Sequence, residues 1–204
     1  IRKLEIARRL DVIDKNALTT LGDLLVNEGY PAAALDAYRK AAALEDPPVG
    51  RLLDGARALV SVNRLQKALE LLDLLEKRDT ALDADNRATA GFLRALVAER
   101  KGRQDEALEL YENVLRLDPL NSQALMASGD VYRRRGQLEK ALVRYERAGK
   151  ADSDMRARAL VRRAQVAVER GEYGAAVKLL EKSLDMERRD YVRDYLEQVR
   201  SMVD

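Results

Sequence analysis

The sequence of 204 residues contains no cysteine and no histidine. Without cysteine the chain forms no disulfide, and no thiol serves as a nucleophile or a metal ligand. Without histidine it lacks the side chain that most often acts as a general base near neutral pH and as a transition-metal ligand. The sequence also has no glycine-rich phosphate loop and no nucleophile–base signature. We therefore predict that this segment is not an enzyme, and we expect no metal site and no cofactor.

A strong excess of one charge and a long apolar run are also missing. The 37 Lys and Arg residues nearly cancel the 35 Asp and Glu residues, which leaves a net charge of +2. A dedicated nucleic-acid binder usually carries a strongly basic face, so we predict no nucleic-acid partner. No apolar run approaches the roughly 20 residues that a membrane-spanning helix needs. We expect no direct membrane insertion by this segment, and both a cytoplasmic and a periplasmic location remain open.

Proline and glycine are scarce, with four and eleven residues, in a chain rich in Ala, Leu, Arg and Glu. Those four residue types are strong helix formers, whereas proline and glycine interrupt helices. Hydrophobic residues make up 47% of the sequence, which is enough for a continuous core. The composition therefore predicts an all-α fold.

Against this helical background one short pattern occurs five times. Each copy has a Gly or Asn, an alanine five residues later, and a Tyr or Leu four residues beyond the alanine. The turn residues are Gly29, Asn63, Gly102, Gly136 and Gly171, the alanines are Ala34, Ala68, Ala107, Ala141 and Ala176, and the large residues are Tyr38, Leu72, Tyr111, Tyr145 and Leu180. A Gly or Asn adopts the left-handed conformation that ends one helix and directs the chain into the next. The alanine lets two helix backbones approach closely, and the Tyr or Leu one turn away fills the space between neighbouring hairpins.

This pattern resembles the tetratricopeptide repeat. The spacings between the alanines are 34, 39, 34 and 35 residues, and the family period is about 34 residues. The first copy matches the family at Leu21, Gly22, Gly29, Ala34, Tyr38, Ala41 and Pro47, and the fourth at Gly129, Tyr132, Gly136, Ala141, Tyr145 and Ala148. The resemblance covers nearly the whole chain. It implies a right-handed superhelical solenoid of antiparallel helix hairpins that binds other proteins.

The resemblance predicts five repeats, over residues 15–48, 49–87, 88–121, 122–156 and 157–189. The second repeat departs from the pattern, because Asn63 replaces glycine and five extra residues lie near residues 83–87. The DADN sequence offers helix N-cap residues there, so we expect an extra helical turn or a longer loop. The register of the third repeat stays open, because either Arg94 or Leu93 occupies a position where the family has an apolar residue.

The two ends of the chain lie outside these five repeats. In residues 1–14, Leu4, Ala7 and Leu10 have the right spacing for the second helix of a truncated preceding repeat, and an N-terminal capping helix is the alternative. Residues 190–204 are predicted to form a C-terminal capping helix, with a partner-binding amphipathic helix as the alternative. Their apolar stripe consists of Tyr191, Val192, Tyr195, Leu196, Val199 and Met202.

In the tetratricopeptide family the first helix of each hairpin lines a concave groove. By position, the resemblance gives thirteen candidates for a partner-binding groove: Asn16, Thr19, Asp23, Asn27, Leu53, Arg57, Phe92, Met126, Asp130, Arg133, Arg134, Arg158 and Arg162. Some family members hold the carboxylate of chaperone tails with a Lys–Asn–Asn–Lys–Arg set. Here the matching positions of the first repeat are Thr19 and Asp23, which argues against a chaperone-tail clamp.

Basic residues are concentrated in one part of the chain. Residues 133–170 contain twelve Lys and Arg against five Asp and Glu. Four of these arginines map to the groove side or its edge: Arg133, Arg134, Arg158 and Arg162. One interpretation is a basic wall for an acidic peptide, since arginine makes bidentate contacts with carboxylates. The other is ordinary solvated charge, with Asp130 pairing with Arg162 across repeats.

These features favour a protein–protein interaction scaffold or adaptor. It would bind an acidic, extended or helical segment of another protein in the concave groove, as part of a larger protein. The alternative is a self-assembling oligomerisation module of a structural complex, which would make the chain a homo-oligomer. A third interpretation is a regulatory arm of an enzyme or transferase.

Overall fold

The computed structural model describes residues 14–77 and 82–203 of the chain. Within these residues all the regular structure is helical, which confirms the predicted all-α fold. The helices are α1 (Lys15–Asn27), α2 (Pro31–Ala42), α3 (Val49–Ser61), α4 (Leu65–Lys77), α5 (Ala84–Arg100), α6 (Gln104–Leu117), α7 (Ser122–Arg134), α8 (Leu138–Ala151), α9 (Ser153–Glu169), α10 (Tyr173–Met186) and α11 (Asp190–Arg200). None of them is both long and apolar enough to cross a bilayer. The chain divides into two compact units, a first unit that ends at Leu110 and a second unit that begins at Tyr111.

The turns within the five hairpins share one backbone conformation. Gly29, Gly102, Gly136 and Gly171 have φ between 71° and 81°, and Asn63 has φ of 58°. In each turn the next residue donates its N–H to a carbonyl five positions back, as in the 2.7 Å bond from Tyr30 N to Leu25 O. This hydrogen bond and the left-handed residue before it define the Schellman ending of a helix. The five predicted turn residues are therefore confirmed.

The repeated alanines and large residues form the interior of the hairpins. All five alanines and all five Tyr or Leu residues of the pattern have an exposed fraction of 0%, which confirms that they are interior residues. Glycine is required where a tyrosine ring crosses the first helix. A Cβ atom added to Gly22 would lie 2.3 Å from Cε1 of Tyr38, and one added to Gly129 would lie 2.6 Å from Cε1 of Tyr145.

Within each unit the helices pack against their neighbours in the chain and against the next helix but one. In the first unit α1 packs on α2 and α3, α2 also packs on α4, and α3 packs on α4 and α5. In the second unit α7 packs on α8, α9 packs on both of these helices, and α10 packs on α9 and α11. Because each hairpin buries its apolar faces only against its neighbours, this stacking stabilises the repeats.

Helices α5 and α9 are longer than the other first helices. Both have 17 residues, whereas α1, α3 and α7 have 13. Asp83 caps α5 by accepting the Asn86 N–H at 2.7 Å, and Asp152 caps α9 by accepting the Asp154 N–H at 2.8 Å. The inserted residues of the second predicted repeat thus extend α5 by an N-terminal turn. Both helices begin four residues before the predicted limits at 88 and 157, and the division into five repeats stays a prediction.

The structure resolves the register of α5. Leu93 is fully buried in the core of the first unit. The neighbouring Arg94 points at α4, where its guanidinium lies 2.7 Å from Asp73 Oδ1 and 2.9 Å from Glu76 Oε2. Leu93 therefore takes the apolar position, and Arg94 joins two helices through ion pairs.

The C-terminal helix α11 packs on the last hairpin. Val192, Leu196 and Val199 are buried against α10, whereas Tyr191 and Met202 of the predicted apolar stripe are 55% and 42% exposed. A capping role for residues 190–204 stays a prediction. The predicted second helix of a preceding repeat, in residues 1–14, lies outside the described residues except for Asp14. That aspartate caps α1 by accepting the Ala17 N–H at 2.8 Å.

Candidate partner-binding groove

The groove candidates of the first unit lie on α1, α3 and α5, and they differ in how far they reach the surface. Asn16 and Asn27 are exposed, and Asp23 and Arg57 are half-buried. Asp23 is the most constrained of these side chains. It accepts a 2.8 Å hydrogen bond from Tyr38 Oη and a 2.7 Å hydrogen bond from Nη2 of Arg51.

Three predicted groove residues are buried, which corrects their assignment. Thr19, Leu53 and Phe92 are 0%, 3% and 7% exposed. The Thr19 hydroxyl donates to the backbone oxygen of Asn16 at 3.0 Å, within its own helix, and Leu53 belongs to the core of the first unit. Family position alone assigned them to the groove, whereas the structure leaves these three side chains with little or no exposed surface.

The groove candidates of the second unit lie on α7 and α9. Met126 packs partly buried against the core beside Tyr145. Asp130 accepts a 2.8 Å hydrogen bond from Tyr145 Oη. Its Oδ1 also lies 2.9 Å from Nε of Arg162, which confirms the predicted pairing of Asp130 with Arg162 across repeats.

The same three-residue network therefore occurs in both units. In each, a tyrosine on the second helix donates to an aspartate on the first helix, and an arginine from the first helix of the next hairpin approaches the same carboxylate. The networks are Tyr38–Asp23–Arg51 and Tyr145–Asp130–Arg162. We call them the Tyr–Asp–Arg networks.

Sequence reasoning missed Arg51 and the recurrence of the network. The signal was available in part, because each aspartate directly follows the glycine that faces the tyrosine ring and lies 15 residues before that tyrosine. The arginine could not be found in this way. It comes 28 residues after the aspartate in one network and 32 residues after it in the other.

Burial and charge keep the two network tyrosines protonated. Burial raises the pKa of Tyr38 well above its usual range, and the hydrogen bond to the Asp23 carboxylate raises it further. The pKa of Tyr145 is raised by burial and by the negative charge of Asp130. Each phenol is thus a neutral donor at physiological pH, and it fixes the orientation of its carboxylate.

The remaining arginines of the predicted basic wall differ in ion pairing and in exposure. Arg133 forms an ion pair with Glu169 of α9. Arg134 is exposed. Arg158 is also exposed, and within the described part of the chain it has no ion-pair partner. Two of the four arginines of the predicted basic wall are therefore paired with Asp130 and Glu169, and the wall itself stays a prediction.

Comparison with known proteins identifies the repeats. One family model for the tetratricopeptide repeat matches residues 53–121, 92–155 and 127–191, and a second matches residues 16–46. The chain belongs to the tetratricopeptide repeat family. Tetratricopeptide repeats bind other proteins, so the chain is a protein-interaction scaffold.

One curated relative of this tetratricopeptide chain is a much longer protein. It is the probable UDP-N-acetylglucosamine–peptide N-acetylglucosaminyltransferase SPINDLY of Hordeum vulgare, which is 27% identical over 108 residues. The match covers 52% of this chain and 11% of that protein. The chain thus corresponds to a small part of that relative.

Solved tetratricopeptide structures share the fold. MamA from Desulfovibrio magneticus RS-1 is 20% identical with a TM-score of 0.63, and the match covers 85% of this chain and 95% of that one. YrrB, described as a tetratricopeptide protein with an unusual peptide-binding site, is 15% identical with a TM-score of 0.61. That match covers 96% of this chain and 97% of YrrB. At these identities the similarity extends to the fold alone.

Proposed function

We propose that the chain is a non-enzymatic adaptor or assembly scaffold that binds a segment of a partner protein along the first helices of its hairpins. The observation that carries this proposal is the recurrence of the Tyr–Asp–Arg network in both units. Each network holds an arginine at the surface, and the side chains of Arg51 and Arg162 are 47% and 37% exposed. Because the carboxylates already orient these arginines, a partner would lose little side-chain entropy in binding them.

The chemistry of this face favours an acidic segment. A guanidinium has five N–H donors. In the second unit Arg162 forms an ion pair with Asp130 and donates one hydrogen bond, from Nη1 to Gln165 at 3.2 Å. Arg158 lies four residues earlier on α9, one turn away and therefore on the same side of the helix. A carboxylate on an extended or helical partner segment could bridge these two arginines through charge-assisted hydrogen bonds.

The solved structure of YrrB gives support of a general kind. Its description reports a peptide-binding site on a tetratricopeptide fold. The proposal for this chain rests on its own arginines, since the two proteins are only 15% identical.

The test begins with capture of partners on the immobilised full chain, followed by measurement of the dissociation constant for the segment bound. We expect Arg158→Glu to weaken that binding about tenfold or more, because a charge-assisted hydrogen bond contributes about 1.5–3 kcal/mol. Arg158 is the better target than Arg162, whose replacement would also leave Asp130 without its ion-pair partner.

Arg64→Glu is the matched control. Arg64 is exposed in the first unit, has no ion pair within the described residues, and gives the same change in net charge. Binding should stay within about twofold of the wild type for this variant. Equal affinities of the wild type and Arg158→Glu would contradict an arginine-lined groove.

Self-assembly is the second candidate function, and exposed apolar side chains in the second unit favour it. Leu117, Leu120 and Val143 are 55%, 68% and 56% exposed. Light scattering at several protein concentrations separates the two functions. A mass that rises with concentration, and that falls back in Leu120→Ser, supports self-assembly, whereas a constant monomer mass excludes it.

A further inference from the structure

A small basic pocket lies in the second unit, away from the groove candidates. It is formed between α8, α9 and α10 and has a volume of about 160 Å³. Four cations line it, Lys150 from α8, Arg156 and Arg163 from α9, and Lys182 from α10, together with the carboxylate of Glu146. None of these residues belongs to the predicted groove.

The pocket lies on a different side of α9 from the groove arginines. At about 100° per residue, Arg156 and Arg163 both project roughly 100–120° around the helix from Arg162. They lie further still from Arg158, at roughly 140–160°. A ligand in the pocket would therefore contact a surface that a groove-bound segment does not occupy.

The charges in the pocket are not balanced. Glu146 is the one carboxylate among its lining residues, and it accepts a 2.7 Å hydrogen bond from Lys150. This hydrogen bond, the charge of Lys150 and the charge of Arg163 together lower the pKa of Glu146. Within the described residues, Arg156, Arg163 and Lys182 have no carboxylate at ion-pair distance. Four cations and one carboxylate leave the pocket with three positive charges in excess.

Close packing of α8 and α9 holds part of this cluster in place. A Cβ atom added to Gly149 would lie 3.2 Å from Cβ of Ala159, closer than most Cβ contacts, so the two helices pack tightly at this glycine. The backbone oxygen of Gly149 accepts a 3.1 Å hydrogen bond from Arg156 Nε. This hydrogen bond uses one of the five donors of the Arg156 guanidinium, and it holds the guanidinium at the pocket.

The size of the pocket limits what can occupy it. Sites for whole small molecules or cofactors usually have about 300–1,000 Å³ and enclose most of the ligand, whereas this pocket has about 160 Å³. A single anionic group at the end of a longer chain matches both the volume and the excess positive charge. Arginine is the side chain best suited to bind such a group, because its planar donors match the oxygens of a phosphate or carboxylate.

We propose that the pocket formed by Lys150, Arg156, Arg163 and Lys182 is a second binding site, which takes one phosphoryl or carboxylate group from a side chain of a partner protein. A phosphorylated serine or threonine and an aspartate or glutamate are the two sources of that group. The pocket shares the buried Tyr145 with the network that contains Arg162. Its cations lie on another side of α9, so a partner could contact two faces of the second unit at once.

The experiment is an NMR titration of the ¹⁵N-labelled full chain with three Gly–Ser peptides that differ at one position. That position is phosphoserine, glutamate or serine. We expect saturable amide shifts at Gly149, Arg156 and Ala159 with the phosphoserine peptide, the glutamate peptide or both, and none with the serine peptide. The first two peptides distinguish a phosphoryl group from a carboxylate as the preferred ligand.

Paired charge variants separate a specific site from general attraction. Arg163→Gln with Lys182→Gln removes two pocket cations that make no hydrogen bond within the described residues. Arg64→Gln with Lys67→Gln removes the same charge from the first unit. The pocket variant should bind the anionic peptide about tenfold more weakly, and the control should stay within twofold.

Four outcomes would overturn the proposal. The first is equal weakening in the pocket variant and the control, which would mean non-specific attraction. The second is shifts located at Arg158 and Arg162 in place of the pocket, which would assign the anion to the groove. The third is no saturable binding of either anionic peptide. The fourth is tighter binding of a single-stranded oligonucleotide than of the anionic peptides at these residues, measured in a parallel titration. The titrations with the pocket variant do not depend on the outcome of the groove test, because Arg158→Glu leaves all four pocket cations in place.

Discussion

At the scale of single residues, the two network tyrosines combine packing with a directed hydrogen bond. Tyr38 and Tyr145 have exposed fractions of 0% and each donates to a carboxylate at 2.8 Å. Their rings occupy the space opposite Gly22 and Gly129. A phenylalanine at these positions would keep the packing and lose only the hydrogen bond, so the two contributions can be measured separately.

We expect Tyr145→Phe to lower the free energy of unfolding by about 1.5–3 kcal/mol, the range for a hydrogen bond to a charged group. The Asp130 carboxylate would keep Arg162 but lose its phenol donor. Urea denaturation measures the change. Tyr30→Phe is the control, because Tyr30 is 61% exposed and its substitution should change stability by less than about 0.5 kcal/mol. Equal stabilities of Tyr145→Phe and the wild type would show that the hydrogen bond contributes nothing.

The raised pKa values of Tyr38 and Tyr145 predict a loss of stability at alkaline pH. Both folded pKa values lie above the unfolded value of about 10. Their contribution is therefore complete below pH 10 and is lost as the pH rises above it, because the unfolded state releases these protons more readily. We expect urea denaturation between pH 8 and 11 to show this decline. The double variant Tyr38→Phe with Tyr145→Phe should start lower at pH 8 and decline less steeply, and a parallel decline would contradict the assignment.

At the scale of elements, the hairpin turns show how a single backbone conformation defines the end of a helix. Four turns use glycine and one uses Asn63, and all five have positive φ. Glycine adopts this conformation without a steric cost, whereas asparagine tolerates it at some cost in free energy. The turn of the second hairpin is therefore the one at which a glycine substitution can raise the stability of the fold.

We expect Asn63→Gly to raise the free energy of unfolding by about 0.5–1 kcal/mol, and Gly136→Ala to lower it by about 1 kcal/mol. Thermal denaturation of both variants gives the comparison. Gly50→Ala is the control, because Gly50 lies in helix α3 and an added Cβ would meet nothing within 4 Å. That variant should be neutral or slightly stabilised. A destabilised Asn63→Gly protein would show that the asparagine side chain has a further role.

At the scale of the whole molecule, stability comes from the packing of each helix on its neighbours. Helix α11 packs on α10 through Val192, Leu196 and Val199. Without α11 these contacts on the apolar face of the α9–α10 hairpin would be lost. The packing of α11 therefore contributes directly to the stability of the second unit.

We expect Leu196→Ala to lower the free energy of unfolding by about 2–4 kcal/mol, because the side chain is 5% exposed and its loss leaves a cavity. Binding of a hydrophobic dye should increase at the same time. Met202→Ala is the control, since Met202 is 42% exposed and its truncation should change stability by less than about 0.5 kcal/mol. If both variants retained wild-type stability, α11 would not function as a cap.

Much of the repeat structure could be predicted because its signals are local. The left-handed turn residues and the buried alanines recur at fixed positions within each hairpin, and a hairpin is short enough for spacing to report contact. The groove was harder to predict. Family position places a residue on a helix, but it does not decide whether the side chain is exposed or buried, as Thr19, Leu53 and Phe92 show.

The sequence by itself determined the helical hairpins, their turns at Gly29, Asn63 and the later glycines, and the small and large residues that pack inside them. These features depend on local backbone conformation and on periodicity, which a linear sequence records directly. Only the tertiary structure decided which charges pair and which remain available. Arg51 reaches Asp23 and Arg162 reaches Asp130 because successive hairpins stack, and the basic pocket needs three helices to bring its four cations together. Contacts of this kind join residues far apart in the chain through long side chains, and no fixed spacing records them.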